Sequence, residues 1–200
     1  MKDYHNLITD SFLKQGGHLH KSNGDGHILS FGVMDNADLS DIASIQSEVQ
    51  DADNRRIKTY LEKIDYAFPL FINNFHQLMK KYNLPSNLKI GAGLDIGQIR
   101  LILHGDLSTK MELDIEGEVI IRSTRLEAYS KVLNKNVDDS SSFLTITHEA
   151  YSYLNKNSYT PWVTSDADLK VRDYPDIEQV YYKAWLLPQP APQKGSATAA

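Results

Sequence analysis

The 200-residue chain contains no cysteine and only two tryptophans. Without cysteine there is no disulfide, no thiolate metal site and no thiol nucleophile, which fits a reducing compartment. No apolar run approaches the ~20 residues that a membrane-spanning helix needs. The opening Met1-Lys2-Asp3-Tyr4-His5 lacks the apolar core of a signal peptide. The expectation is a cytoplasmic protein with no membrane partner. An excess of basic residues is missing too. The formal net charge is -5, so bulk electrostatics give no reason to expect nucleic-acid binding. No Gly-x-Gly-x-x-Gly, phosphate-loop lysine or nucleophile-elbow serine is present, and there is no internal repeat. What remains is an ordinary globular composition, 41% hydrophobic and 24% charged, long enough for one domain with a sizeable core.

Hydrophobic periodicity outlines the elements. Leu7, Ile8, Phe12 and Leu13 have near-helical spacing over residues 4–15, ended by Gly16-Gly17. Strands are predicted at about 18–21 and 27–32. The polar, acidic stretch 35–56 reads as a surface excursion with one helical turn around Ile42-Ile45-Val49. From Ile57 to Tyr82 runs a long helical stripe rich in aromatics, which reads as core packing, with Pro69 expected to kink or restart it. Strands follow at about 88–94, 99–104 and 110–115, then a helix over 117–133. A strand at 142–146 precedes a helix from Thr147, with Thr147 and Glu149 as capping residues. A closing hairpin is expected over 167–172 and 178–186. The Pro/Ala/Ser-rich residues 187–200 are predicted to be a disordered tail.

Two motifs carry chemistry. Lys21-Ser22-Asn23-Gly24-Asp25-Gly26 lies between two extended segments and reads as a hairpin tip. Asp25, flanked by glycines, suits a hard oxygen ligand for Mg²⁺ or Mn²⁺; it equally suits a turn aspartate bonded to its own backbone. The second is Asp114-Ile115-Glu116-Gly117-Glu118-Val119-Ile120-Ile121-Arg122-Ser123-Thr124-Arg125-Leu126-Glu127. Its Arg125 falls two helical turns beyond Gly117, where a planar guanidinium can hold a phosphate or pair with Glu118 or Glu127. His18 and His20 alternate on one strand and offer two metal-capable rings, although strand histidines without a ligand are commoner. His104-Gly105-Asp106 reads as a hairpin bend.

Together these motifs, about ninety residues apart and in order, resemble the class III nucleotide cyclases. The first is similar to their Lys-x-x-Gly-Asp-Gly hairpin. The second is similar to Asp-Ile-x-Gly-x-x-Val-Asn-x-Ala-x-Arg-Leu-Glu. Leu88 to Arg100 resembles the strand-turn-strand before that signature, and Asp168 to Tyr181 the closing hairpin, so the likeness covers roughly residues 11–186. The resemblance implies an α/β (α+β) domain over 1–186 with a ferredoxin-like βαβ core, a mainly antiparallel central sheet and flanking helices. It implies conversion of a nucleoside triphosphate to a 3′,5′-cyclic monophosphate and pyrophosphate, with Mg²⁺ or Mn²⁺ as cofactor. It assigns Asp25 to the metal, Lys21 and Asp114 to the base, and Arg125 to the phosphate. It also implies a head-to-tail homodimer or a paired cyclase subunit. A carboxylate only accepts hydrogen bonds, so Asp114 favours adenine or cytosine. The resemblance to adenine-specific members, which present a lysine and an aspartate at these positions, implies ATP as the favoured substrate. The bacterial pyrimidine cyclases of antiphage signalling share the fold and keep a pyrimidine substrate open.

Two departures qualify the resemblance. The family's first metal aspartate, in a Phe-x-Asp-Ile-x-Gly-Phe loop about forty residues before the Gly-Asp hairpin, has no counterpart in the twenty-four residues before Asp25. Asp10 lies in a helical pattern, and Asp95 falls where a later hairpin belongs. Ile121 occupies the position of the family's ribose-orienting asparagine. The alternatives are a piece of a longer cyclase whose N-terminal strand is missing here, and a catalytically degenerate homologue that binds nucleotide or pairs with an active subunit. The expectation for residues 1–200 alone is little or no turnover.

Overall fold

In the computed structural model the described residues are 2–23, 26–32, 52–85, 88–104, 112–136, 141–154, 161–165, 171, 177 and 179–186. They form helices α1 (Lys2–Ser11), α2 (Ala52–Lys81), α3 (Glu118–Asn136) and α4 (His148–Tyr153). The strands are β1 (Gly17–Asn23), β2 (Gly26–Phe31), β3 (Gly91–Leu94), β4 (Arg100–His104), β5 (Glu112–Glu116), β6 (Ser141–Thr147), β7 (Val163–Thr164) and β8 (Val180–Leu186). A 3₁₀ turn at Leu13–Gln15 ends the N-terminal helical stretch earlier than its apolar spacing predicts, with Gly16 left-handed behind it. Among the described residues, the other strand and helix calls between 17 and 154 hold to within a few residues. The predicted excursion ends sooner, because α2 already begins at Ala52. Pro69 does not restart that helix, which continues as one element of 30 residues. The second strand of the closing hairpin is β8, whereas its first strand apart from Val171, residues 35–51, Gly105-Asp106 and the 187–200 tail lie outside the described residues.

The central sheet has the order β3-β6-β8-β7. β3 and β6 are parallel, while β6–β8 and β7–β8 are antiparallel. A helix crosses over between the parallel pair, as parallel strands require. Strand β6 is buried along its whole length, because helices cover both faces of the sheet. On one face Leu144 and Ile146 join Leu61, Phe68, Phe71 and Ile72 of α2 and Ile8 and Phe12 of α1. On the other, Phe143, Val180 and Tyr182 meet Leu126, Tyr129 and Leu133 of α3. The aromatic stripe of α2 is therefore core, as its period predicts. The other strands among the described residues form two antiparallel pairs, β1–β2 and β4–β5, with β1 packed against β5.

Polar residues of β6 are matched rather than wasted. The Ser142 hydroxyl accepts from Ile90 N at 3.1 Å, and the Thr145 hydroxyl lies 2.7 Å from Leu126 O and 3.1 Å from Ala92 O. On the α2 face the ammonium of Lys183, only 2% exposed, donates to both carboxylate oxygens of Asp65 at 2.6 and 2.8 Å. It also lies 4.7 Å from the centre of the Trp162 ring. A buried lysine needs such partners to stay charged.

Candidate active site

The β1–β2 hairpin carries the first motif. Its register is Leu19 opposite Leu29 and then Lys21 opposite Ile28, so His20 is the extra residue of a β-bulge. Bulges re-aim side chains and are common beside active sites. Lys21 is exposed at the start of the polar tip. Asp25 lies outside the described residues. His20 is half-buried: Nε2 lies 2.5 Å from Ser30 Oγ, and its ring meets His18 edge-on at 4.6 Å. Burial pushes the His20 imidazole below its ordinary range and His18 adds to this, while the nearby Asp114 carboxylate opposes both. The strand bearing Lys21 and the strand bearing Asp114 are thus neighbours, although ninety-three positions separate the two residues.

Asp114 is half-buried in β5 opposite Ile102, and its Oδ1 accepts from Ile115 N at 2.8 Å. Gly117 then turns the chain into α3. A Cβ there would lie 2.7 Å from Gln98 O, so glycine is needed for this close approach. Arg125 is half-buried in the third turn of α3. Helix α3 lies almost on the backbone of β3: a Cβ at Gly93 would be 2.0 Å from Ser123 O and 2.3 Å from Glu127 N. The position and pitch of the helix that carries Arg125 are therefore set by a glycine strand beneath it.

Asp10 is exposed on the first helix and paired with Lys14 at 2.6 Å. Asp95 does something the sequence did not indicate. Its carboxylate is fully buried at the end of β3, with Arg122 Nε 2.9 Å from Oδ2 and the Thr147 hydroxyl donating to Oδ1 at 2.7 Å. Burial raises its pKa above the ordinary carboxylate value, against the opposing effects of Thr147 and Arg122. Among the described residues no group of three or more His, Asp or Glu is placed to hold a metal ion. The His18–His20 pair thus gains no third ligand among the described residues.

Comparison with solved structures identifies the fold. The adenylyl cyclase CyaB from P. aeruginosa matches with a TM-score of 0.60 at 18% identity, over 95% of this chain and 81% of that one. Two structures of a bacterial light-regulated adenylyl cyclase match with TM-scores of 0.57 and 0.55, each at 16% identity and over 92% of this chain. This chain spans 43% of the length of each of those two. No family model and no curated protein sequence matches. The chain has the fold of the bacterial adenylyl cyclases. No described helix is long and apolar enough to cross a membrane.

Proposed function

We propose that the chain is a nucleotide cyclase domain that binds a nucleoside triphosphate, ATP in preference, and forms the 3′,5′-cyclic monophosphate with release of pyrophosphate. The observation that supports this most directly is the packing of β1 on β5 within a cyclase fold. It puts the strands of Lys21 and Asp114 side by side, as a base-reading pair needs. In this reading the Lys21 ammonium donates to a ring nitrogen and Asp114 accepts from the exocyclic amine. Arg125 offsets charge that develops on the phosphate as the ribose 3′-oxygen attacks. Bound Mg²⁺ or Mn²⁺, held in part by Asp25, would polarise the phosphate oxygens. A cytoplasmic location and a role in cyclic-nucleotide signalling belong to the same proposal.

One observation favours a second reading. Ile121 is 52% exposed where the resembling family orients the ribose with asparagine. An exposed isoleucine supplies no hydrogen bond, and positioning accounts for much of the rate in phosphoryl transfer. The second reading is a domain that retains nucleotide binding with little turnover. Incubation of residues 1–200 with each of the four triphosphates and Mn²⁺, with product analysis, separates the two. Cyclic product that disappears in Asp25→Ala supports the enzyme and overturns the expectation of little turnover from these residues alone; saturable binding without product supports the second reading. In either case Lys21→Glu with Asp114→Cys is expected to move preference from ATP or CTP toward GTP or UTP by about 1–3 kcal/mol per mispaired contact. Unchanged preference removes both residues from the pocket.

A further inference from the structure

Arg122 stands beside the position at which the site lacks a donor. Its neighbour Ile121 offers none, yet Arg122 itself is held in an unusual way. Nε lies 2.9 Å from Oδ2 of Asp95, whose side chain is 0% exposed, while the arginine side chain keeps 23% of its surface open. Asp95 is fixed in turn: Thr147 donates to Oδ1 at 2.7 Å, and the Thr147 oxygen accepts from Ala150 N at 3.3 Å at the start of α4. The pairing of Nε with Oδ2 is ionic rather than a directed hydrogen bond. Apart from Asp95, no partner of Arg122 is found among the described residues.

A guanidinium has five N–H donors, four of them on the two Nη nitrogens. Here a buried carboxylate pairs with Nε, and among the described residues no partner takes the Nη donors. Tethering removes much of the rotamer freedom that an arginine loses on binding an anion. Arg122 also precedes Arg125 by three positions, so the two side chains are neighbours on the surface of α3. An ion pair that merely joined β3 to α3 has no need of an arginine that keeps part of its side chain open.

We propose that Arg122 is a second phosphate-binding arginine of the candidate site, with Asp95 as its positioning residue. The ligand class is the polyphosphate of a nucleoside triphosphate, so the inference rests on the nucleotide-binding reading above. The base and the ribose play no part in it. Arg122 contributes through its Nη donors to phosphate oxygens, and Asp95 acts only through Arg122.

The test measures binding of ATP, adenosine and inorganic tripolyphosphate to the full chain by calorimetry. The informative variant is Asp95→Asn with Arg122→Met, which removes both charges together and strands neither in the interior. It is expected to lose about tenfold in affinity for ATP and for tripolyphosphate, equivalent to about 1.4 kcal/mol, with adenosine binding unchanged. Arg122→Lys keeps the charge without the fork and is expected to lose about threefold for the same two ligands. Arg122→Lys decides the matter if the double variant does not fold. Equal losses for adenosine, or ATP affinity within twofold of the parent in a natively folded variant, overturn the proposal and leave the nucleotide-binding reading intact. A parent chain that binds neither ATP nor tripolyphosphate overturns both.

Discussion

At the scale of single residues, two histidines report how burial acts on titration. His76 of α2 is 6% exposed, and neither ring nitrogen has a hydrogen-bond partner among the described residues. Burial pushes its pKa below the ordinary value of 6.5, and Lys80 adds to this. In the unfolded chain the imidazole takes up a proton near that ordinary value, whereas in the folded chain it resists. Stability is therefore full above the unfolded value and falls as pH drops through 6.5 toward the lower folded value. His20 shifts in the same direction and contributes with the same sign. His76→Phe is expected to flatten the loss of urea stability between pH 7 and pH 5. If the slope persists in that variant, His76 is not its source. The sequence places His76 within a helical stripe but does not show that both ring nitrogens go unpaired, because that depends on which neighbours close over the ring.

At the scale of elements, the contact of α3 with β3 carries the architecture of the site. The backbone of α3 lies so near Gly93 that an added Cβ has nowhere to go: it would meet Ser123 O and Glu127 N, both backbone atoms. At Gly91 the nearest atom is the Ser130 side-chain oxygen, at 2.1 Å. Side-chain atoms can move aside and helix backbone cannot do so cheaply. Gly93→Ala is thus expected to cost more stability than Gly91→Ala, at or beyond the ~1–3 kcal/mol typical of overpacking. Ser130→Ala is expected to relieve part of the Gly91→Ala loss and none of the Gly93→Ala loss. Urea unfolding midpoints of the four variants check the order, and equal losses at the two glycines would show that α3 is free to move. In sequence the two glycines read as a strand-turn pattern; their purpose, a close helix, becomes visible only with the helix in place.

At the scale of the whole molecule, the head-to-tail arrangement implied by the cyclase resemblance sets the last prediction. In that arrangement the metal aspartate of one subunit faces the base- and phosphate-reading residues of the other. The expectation is that Asp25 of one copy lies across an interface from Arg125 of a second copy or of a paired cyclase subunit. Light scattering at high concentration, with and without nucleotide and Mn²⁺, is expected to show self-association strengthened by ligand. Mixing Asp25→Ala with Arg125→Ala chains is expected to restore binding that neither has alone, since one composite site in the mixture is intact. A chain that stays monomeric throughout, with no restoration on mixing, rules out the shared site.

The order of elements was legible in the sequence wherever the pattern was local. The 3.6-residue stripe of α2, the glycine-flanked turn between extended segments and the Asp-Ile-x-Gly lead into α3 each reflect interactions within a few positions of chain. The four candidate site residues were named through the resemblance to the cyclase motifs. That the strands bearing Lys21 and Asp114 are neighbours could not be read from the sequence. Only tertiary structure placed β1 on β5, set β3 parallel to β6, and joined Lys183 to an aspartate 118 positions away. The same holds for Asp95, whose sequence context suggests a turn and whose surroundings make it a buried counter-ion for Arg122. Periodicity specifies which face of an element is apolar, but a buried charge takes its partner from whichever element packs against that face. That choice depends on the free energy of the assembled core, and short-range pattern does not encode it.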